Sequence, residues 1–420
     1  MKQPWLNSYI KKTKGNEIPD ITIYEQLKKS ANNYPNNIAI EYLNKTLKYS
    51  ELLSIVDHIA VGFEKLGVKQ SDVITIALPN IPEVVFALYA LNKLGAVCNI
   101  THPLDSENDI NYTLKETNSK IIVTIQENYK KIKNNKTLEK IIIANPTDFL
   151  DIDVNLSTIK DDRLISFKNY FKNIEKKEIN IKRNTKDDIA VILHSGGTTG
   201  KIKHVVIQNK AFLNETIGHT LDLVKMIPGT SYIVILPNFH GYGLNNCITS
   251  PLANGCKIIL VPRFEASKFD ELIDQTKPNA ILGVPSIFEA LINCHNVENL
   301  DLSFSKYWLC GGDQLSNKLE EEVNKFLKEH GANIVIKQGY GLTETLSCIC
   351  GWPDEMNKSG SVGVMFYGMK SFIVDPHTDK ELNNGEIGEF IVTGNSLMLK
   401  YLNDEEATKK ALKKRSDGNT

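Results

Sequence analysis

The sequence predicts an α/β fold, with two doubly wound α/β subdomains in succession and then a small antiparallel β-barrel subdomain. Three observations carry this expectation. Short apolar runs alternate with amphipathic stretches from residue 73, the alternation returns from residue 232, and after about residue 350 glycine-punctuated strands take over.

In the first stretch, Val73-Ile74-Thr75-Ile76-Ala77 reads as a strand, Pro82 to Leu94 as a helix, and Ala96-Val97-Cys98-Asn99-Ile100 as a second strand. Asp109 to Glu116 reads as another helix and Lys120-Ile121-Ile122-Val123-Thr124 as a third strand, which is a β-α-β pattern and hence a parallel sheet. The pattern resumes with strands at Tyr232 to Leu236, Lys257 to Val261, Ala280 to Leu282, Tyr307 to Leu309 and Ile334 to Ile336. Helices near Leu244 to Ala253, over Lys268 to Gln275 and from Asn317 to Lys328 connect them. Finally, Met369 to Val374 and Gly388 to Val392 flank Asn383-Asn384-Gly385, an Asn-Gly hairpin signal. The expected divisions are 1–180 for the first unit with its N-terminal extension, 181–350 for the second, and 351–415 for the small β subdomain.

Composition narrows the function classes. The chain has 420 residues, 24% of them charged and 41% hydrophobic, enough for two or three cores. Lys and Arg number 49 against 50 Asp and Glu, and clusters such as Lys130-Lys131-Ile132-Lys133 have no interleaved aromatics, so nucleic acid is not an expected partner. No stretch reads as a signal peptide or a membrane span; the nearest, Val84 to Ile100, is broken by Asn92 and Lys93. Seven Cys without zinc spacing suit reduced thiols, and the cytoplasm is the expected location.

The chemistry begins at a strand, Ala190-Val191-Ile192-Leu193, ending at His194. The next six residues, Ser195-Gly196-Gly197-Thr198-Thr199-Gly200, are all Ser, Gly or Thr. Such a loop can turn several backbone N–H groups into one concavity with hydroxyls as further donors, which is how phosphate is cradled without a helix. Lys203 adds a cation nearby. A Walker loop is excluded, because Gly200-Lys201 is followed by Ile202 and by the strand-like His204-Val205-Val206-Ile207-Gln208.

Ile192 to Lys203 resembles the AMP-binding signature of the adenylate-forming superfamily, which includes acyl-CoA synthetases, peptide-synthetase adenylation domains and beetle luciferases. Four further blocks resemble that family in order: Pro237-Asn238-Phe239-His240-Gly241-Tyr242-Gly243-Leu244, Cys310-Gly311-Gly312-Asp313-Gln314-Leu315, Gln338-Gly339-Tyr340-Gly341-Leu342-Thr343-Glu344-Thr345, and Gly394 to Thr408. The resemblance spans roughly residues 20 to 415 and covers the large N-terminal domain. It implies that Ser195 to Gly200 embrace the ATP triphosphate with Lys203 assisting. Tyr340 would stack on adenine opposite Gly311, Gly312 and Asp313, with Gln338, Gly339, Gly341 and Leu342 completing the nucleotide wall. Thr343 would hold the α-phosphate and Glu344 a Mg²⁺ ion. A site that joins a carboxylate to an α-phosphate needs such charge neutralisation, and a hard cation prefers oxygen ligands.

His240, between Phe239 and Gly241-Tyr242, carries the substrate class. Peptide-synthetase domains usually place an Asp near this segment for an amino group, whereas acid–CoA ligases carry the pattern seen here, so a non-amino acid, fatty or aromatic, is implied. The acid pocket is expected from His240, Tyr242, Gly243, Gly283, Val284, Pro285, Gly341 and Leu346, all but His240 apolar or small; Gly283-Val284-Pro285 reads equally well as packing. His194 and His204 carry no such support and read as structural. Departures from the family are Gly196 in place of a hydroxyl residue, Lys201-Ile202-Lys203-His204 in place of x-Pro-Lys-Gly, and Asp313-Gln314 in place of Ala-Pro.

These features imply an AMP-forming acid–thiol ligase that uses ATP, Mg²⁺ and a small carboxylic acid and passes the acyl group to CoA. The alternatives are transfer to a carrier protein's phosphopantetheine and a non-catalytic nucleotide-binding module. The residues run out at Ser416-Asp417-Gly418-Asn419-Thr420, where family members continue to a ribose-binding Asp, a hinge and a C-terminal lid domain with a catalytic Lys. The expectation is therefore that residues 1–420 bind ATP or acyl-AMP but turn over weakly alone.

Overall fold

The computed structural model describes residues 17–150, 152, 159–175, 177, 179, 184–196, 202–218, 226–295, 297–353 and 356–414. Two large sheets organise them. The first has eight strands, in the order Lys400–Tyr401, Ile202–Gln208, Ile189–Gly196, Val97–Ile100, Val73–Ala77, Ile121–Thr124, Lys140–Ile143 and Leu164–Ser166. The second has seven, in the order Lys337–Gln338, Tyr307–Cys310, Ala280–Gly283, Ser231–Val234, Lys257–Leu260, Ile38–Tyr42 and Lys45–Lys48.

Continuous apolar strands account for these sheets. Val97–Ile100, Ile121–Thr124 and Ala280–Gly283 are buried at every position, as parallel strands covered on both faces must be. Helix Pro82–Leu94 covers the first sheet. Pro82 sits at its first turn, Gly95 closes it with a left-handed φ of 71°, and twelve of its thirteen residues are buried. One core joins the two sheets, uniting Ile74, Ile76 and Val191 with Tyr232, Ile258 and Leu282.

Sheet membership crosses the division drawn at residue 180. Ile38–Tyr42 pairs in parallel with Lys257–Leu260 of the second sheet, and Ile189–Gly196 pairs in parallel with Val97–Ile100 of the first. The hairpin of Ile189–Gly196 and Ile202–Gln208 therefore belongs to the sheet built mostly from the first stretch. Sequence alternation shows that strands are parallel but does not say which sheet a strand joins.

Two elements differ from expectation. No strand forms at 334–336; the backbone N–H of Ile336 donates instead to Asn324 Oδ1 of helix Asn317–Glu329 at 2.8 Å, and pairing begins at Lys337–Gln338. The helix expected near 244–253 starts at Tyr242, and its first eight residues, Tyr242–Thr249, are wound as a π-helix. At the C-terminal side, Tyr340–Gly341, Cys348–Gly351 and Val364–Met365 form a three-stranded antiparallel sheet. Met369–Val374 and Glu389–Gly394 form a separate two-stranded ribbon around the expected turn, so the β-barrel is two pieces among the described residues.

Candidate active site

At the C-terminal ends of the central strands of both sheets lies a cavity of about 510 Å³. Open α/β sheets bind ligands at that edge, where strand ends and loops converge. Its wall brings together Ser195 and Gly196 from the hairpin, His240 to Gly243 from the loop after Ser231–Val234, Gly311 and Gly312 after Tyr307–Cys310, and Gly339 to Glu344. Val284, Leu236, Leu309 and Leu346 supply apolar surface.

Close backbone approach shapes this wall. A Cβ on Gly241 would lie 1.5 Å from the Leu346 carbonyl oxygen, and one on Gly341 would lie 1.7 Å from that of Ser347. Both positions therefore require glycine. Leu346 itself is bent: at φ 67° and ψ −61° it centres a three-residue γ-turn in which the Ser347 N–H donates to the Thr345 carbonyl at 2.8 Å. Such strain in a fully buried leucine persists only where the surroundings hold it, and it is found preferentially at functional sites.

Glu344 is the one carboxylate on the wall among the described residues. Its Oε1 accepts from Ser195 Oγ at 3.1 Å and from Tyr401 Oη at 2.8 Å. The Lys203 ammonium lies 4.8 Å above the Tyr401 ring centroid. Ser195, Glu344, Tyr401 and Lys203 thus form one linked group, although 206 positions separate its ends.

Two histidines of the site, His194 and His240, are held below their ordinary range. Burial, and then the neighbouring His102, lower the His240 imidazole from its ordinary range; Phe239 packs between them, 4.7 Å from the His240 ring and 4.4 Å from that of His102. Burial, followed by His204 and His240, pushes His194 down to about 3. His194 Nε2 is 2.8 Å from Asn99 Oδ1, which makes it the donor, so Nδ1 accepts from His204 Nδ1 at 3.2 Å.

Behind the wall, Glu215 is fully buried and held by polar neighbours rather than by a cation. Asn245 Nδ2 donates to it at 2.6 Å, the Ser347 backbone N–H donates to it at 3.2 Å, and the Ser347 hydroxyl oxygen lies within hydrogen-bond reach of it. Burial raises its carboxyl to about 8, against the lowering effect of those bonds. Two successive side chains of the π-helix serve this network, since Asn246 Oδ1 accepts from the Ser347 hydroxyl.

Residues 27–402 match the profile of the family described as AMP-binding enzyme. The chain belongs to that family.

It is 29% identical over 366 residues to a probable 4-coumarate–CoA ligase 3 of Dictyostelium discoideum, a match covering 86% of this chain and 66% of that relative, just under two thirds of its length. It is 27% identical over 435 residues to the long-chain-fatty-acid–CoA ligase of Bacillus subtilis (strain 168), covering 98% of this chain and 76% of the relative. Among solved structures, the anthranilate CoA ligase AuaEII in complex with anthranoyl-AMP superposes with a TM-score of 0.83 at 18% identity, over 95% of this chain and 76% of that one. That likeness shows the same fold.

In this AMP-binding enzyme, most expected site residues converge on one cavity. Ser195, Gly196, His240, Tyr242, Gly243, Val284, Gly311, Gly312, Gly339, Tyr340, Gly341, Leu342, Thr343, Glu344 and Leu346 all line it. Gly283, Pro285, Asp313, Gln338 and Lys203 do not. Pro285 begins helix Pro285–Ile292, Gly283 packs toward Phe288 and Ile287, and Gln338 is buried in strand pairing with Cys310. Asp313 is exposed, its Oδ1 accepting from the Gln314 N–H at 2.7 Å. Lys203 occupies an adjoining recess with Tyr112, Glu116 and Tyr401. Gly197, Thr198, Thr199 and Gly200 lie outside the described residues.

The sequence reading gave no role to His194, Ser347, Cys348 or Tyr401. His194, at the end of the strand feeding the loop, had a local signal; the others are brought in by pairing across the molecule.

Proposed function

We propose that this AMP-binding enzyme activates a non-amino carboxylic acid, fatty or aromatic, with ATP to give acyl-AMP and pyrophosphate, and passes the acyl group to the thiol of CoA. One observation carries the reading: Ser195, Thr343, Glu344 and Tyr340, the set implied for nucleotide, share a single cavity with His240, Tyr242, Val284 and Leu346, the set implied for the acid. Two reactants held in one cavity react as a positioned pair.

Within it, Tyr340 offers a ring face for adenine, and Thr343 with Ser195 offers hydroxyl donors to the phosphates. Glu344 fits a hard cation: both hydroxyls it accepts reach Oε1, and Oε2 bonds to no described residue. A Mg²⁺ ion held there would neutralise phosphate charge. Neutral His240 can donate one hydrogen bond to an acid oxygen without bringing a fixed charge. Glu344 is committed to the metal, so no carboxylate on the described wall is left for an amino group, and the apolar residues suit an uncharged tail.

The test is single-turnover incubation with ATP, Mg²⁺ and a panel of fatty, aryl and amino acids, read by mass spectrometry. Acyl-AMP and pyrophosphate with a fatty or aryl acid are expected; ADP and phosphate, or an adenylate formed only with amino acids, would overturn the reading. Thioester formation with free CoA, compared with a holo carrier protein, then identifies the acceptor.

A further inference from the structure

A second recess, of about 570 Å³, shares no residue with the acyl-adenylate cavity. It lies between helix Tyr49–Lys65, the start of helix Pro82–Leu94 and helix Phe167–Lys172. Its floor is apolar and largely aromatic, with Leu47, Ile59, Phe86, Phe167 and Phe171 all buried.

Two buried polar atoms of its lining residues have no hydrogen-bond partner among the described residues: Glu83 Oε2 and His58 Nδ1. Folded proteins leave few such groups unsatisfied, because each forfeits the bonds it had in water. Their chemistry is complementary. His58 Nε2 lies 2.6 Å from the Phe171 carbonyl and so carries the proton, which leaves Nδ1 as an acceptor. Burial, reinforced by Asp148, raises the Glu83 carboxyl to about 8, so at neutral pH it is protonated and can donate. A hydroxyl group offers both a lone pair for the Glu83 proton and a proton for His58 Nδ1.

The mouth has the opposite character. Exposed Lys45 and Lys172 and half-buried Lys168 stand there with Glu51, a net positive rim. Lys45 Nζ is anchored on the Phe149 carbonyl at 2.7 Å and lies 4.9 Å from the centroid of that ring.

We propose that this recess is a second small-molecule site, which takes an aromatic ring bearing a hydroxyl group and an anionic group. The ring covers the phenylalanine floor, the hydroxyl satisfies Glu83 and His58, and the anion meets the lysine rim. The size suits a ligand of that class. The proposal is independent of the reading of the other cavity.

The test uses 4-hydroxyphenylacetate as probe, with binding followed by ligand-observed NMR titration. Saturable binding with a Kd below about 1 mM is expected. Phenylacetate, which lacks the hydroxyl, and the Lys172→Glu variant should each weaken it at least about fivefold, and Ser54→Trp, which fills the mouth, should abolish it. Val284→Trp, which obstructs the acyl-adenylate cavity, should leave it unchanged. Absence of saturable binding, binding indifferent to Lys172→Glu, or binding lost in Val284→Trp and kept in Ser54→Trp would each overturn the proposal. If Ser54→Trp fails to fold, Lys172→Glu on an exposed side chain still decides.

Discussion

The two sides of the candidate active-site cavity are built by different means. One is a nearly continuous ribbon, Gly339 to Glu344, whose glycines let backbone pass within contact of backbone. The other is assembled from side chains far apart in the chain: Tyr401 reaches Glu344 across 57 positions, and Glu215 reaches Ser347 across 132. The ribbon fails all at once when a single atom is added, whereas the assembled side should lose function in increments.

Gly341→Ala is the severest test of that contrast. Its Cβ would sit 1.7 Å from a backbone oxygen that cannot swing away, so a loss of about 4 kcal/mol or more is expected in denaturant unfolding, with no folded protein as the extreme. Glu344→Ala comes next. It should keep its thermal midpoint within a few degrees while acyl-AMP formation falls roughly 10²- to 10³-fold, the scale seen when a group that stabilises developing charge is removed. Tyr401→Phe keeps the ring beneath Lys203 and removes one donor to Glu344; a fall of about tenfold in adenylation, near 1.4 kcal/mol, is expected with stability unchanged.

The smallest effect is in pH dependence. Folding raises Glu215 from 4.5 to about 8, so between those values the folded chain keeps a proton that the unfolded chain releases, and stability falls as pH rises. Histidines act in the opposite sense: His194 is held at about 3 against 6.5, and its contribution is lost as pH falls below 6.5. From pH 6.5 to 8 the histidine effect fades as the unfolded imidazoles finish losing their protons, the carboxyl effect outweighs it, and the thermal midpoint should decline across that window. Glu83 shares the same direction and size, so Glu215→Gln should remove about half of the slope. A midpoint that climbs from pH 6.5 to 8 would contradict this assignment.

The same contrast explains what the sequence made legible. A short apolar run marked Val73–Ala77, and a helix-like stretch marked Pro82–Leu94, at their observed ends, because local burial and the Pro82 and Gly95 caps fix them. Motif contiguity likewise gave Gly339 to Glu344. Sheet membership was not legible: nothing in Ile38–Tyr42 announces Lys257–Leu260 as its neighbour. Nor was Tyr401, whose role depends on the hairpin bringing Lys203 and Ser195 beside Glu344. The π-helical winding at Tyr242–Thr249 was hidden for a related reason, since it is held by partners such as Glu215 rather than by propensity.

The central claim, that nucleotide and non-amino acid share the one cavity, is tested most directly by calorimetric binding of acyl-sulfamoyl adenosines. Fatty- or aryl-sulfamoyl adenosines should bind at least about a hundredfold more tightly than aminoacyl analogues and displace ATP, with Glu344→Ala leaving the acyl preference intact. Tighter binding of an aminoacyl analogue, or simultaneous binding of ATP and a fatty- or aryl-sulfamoyl adenosine without competition, would contradict it.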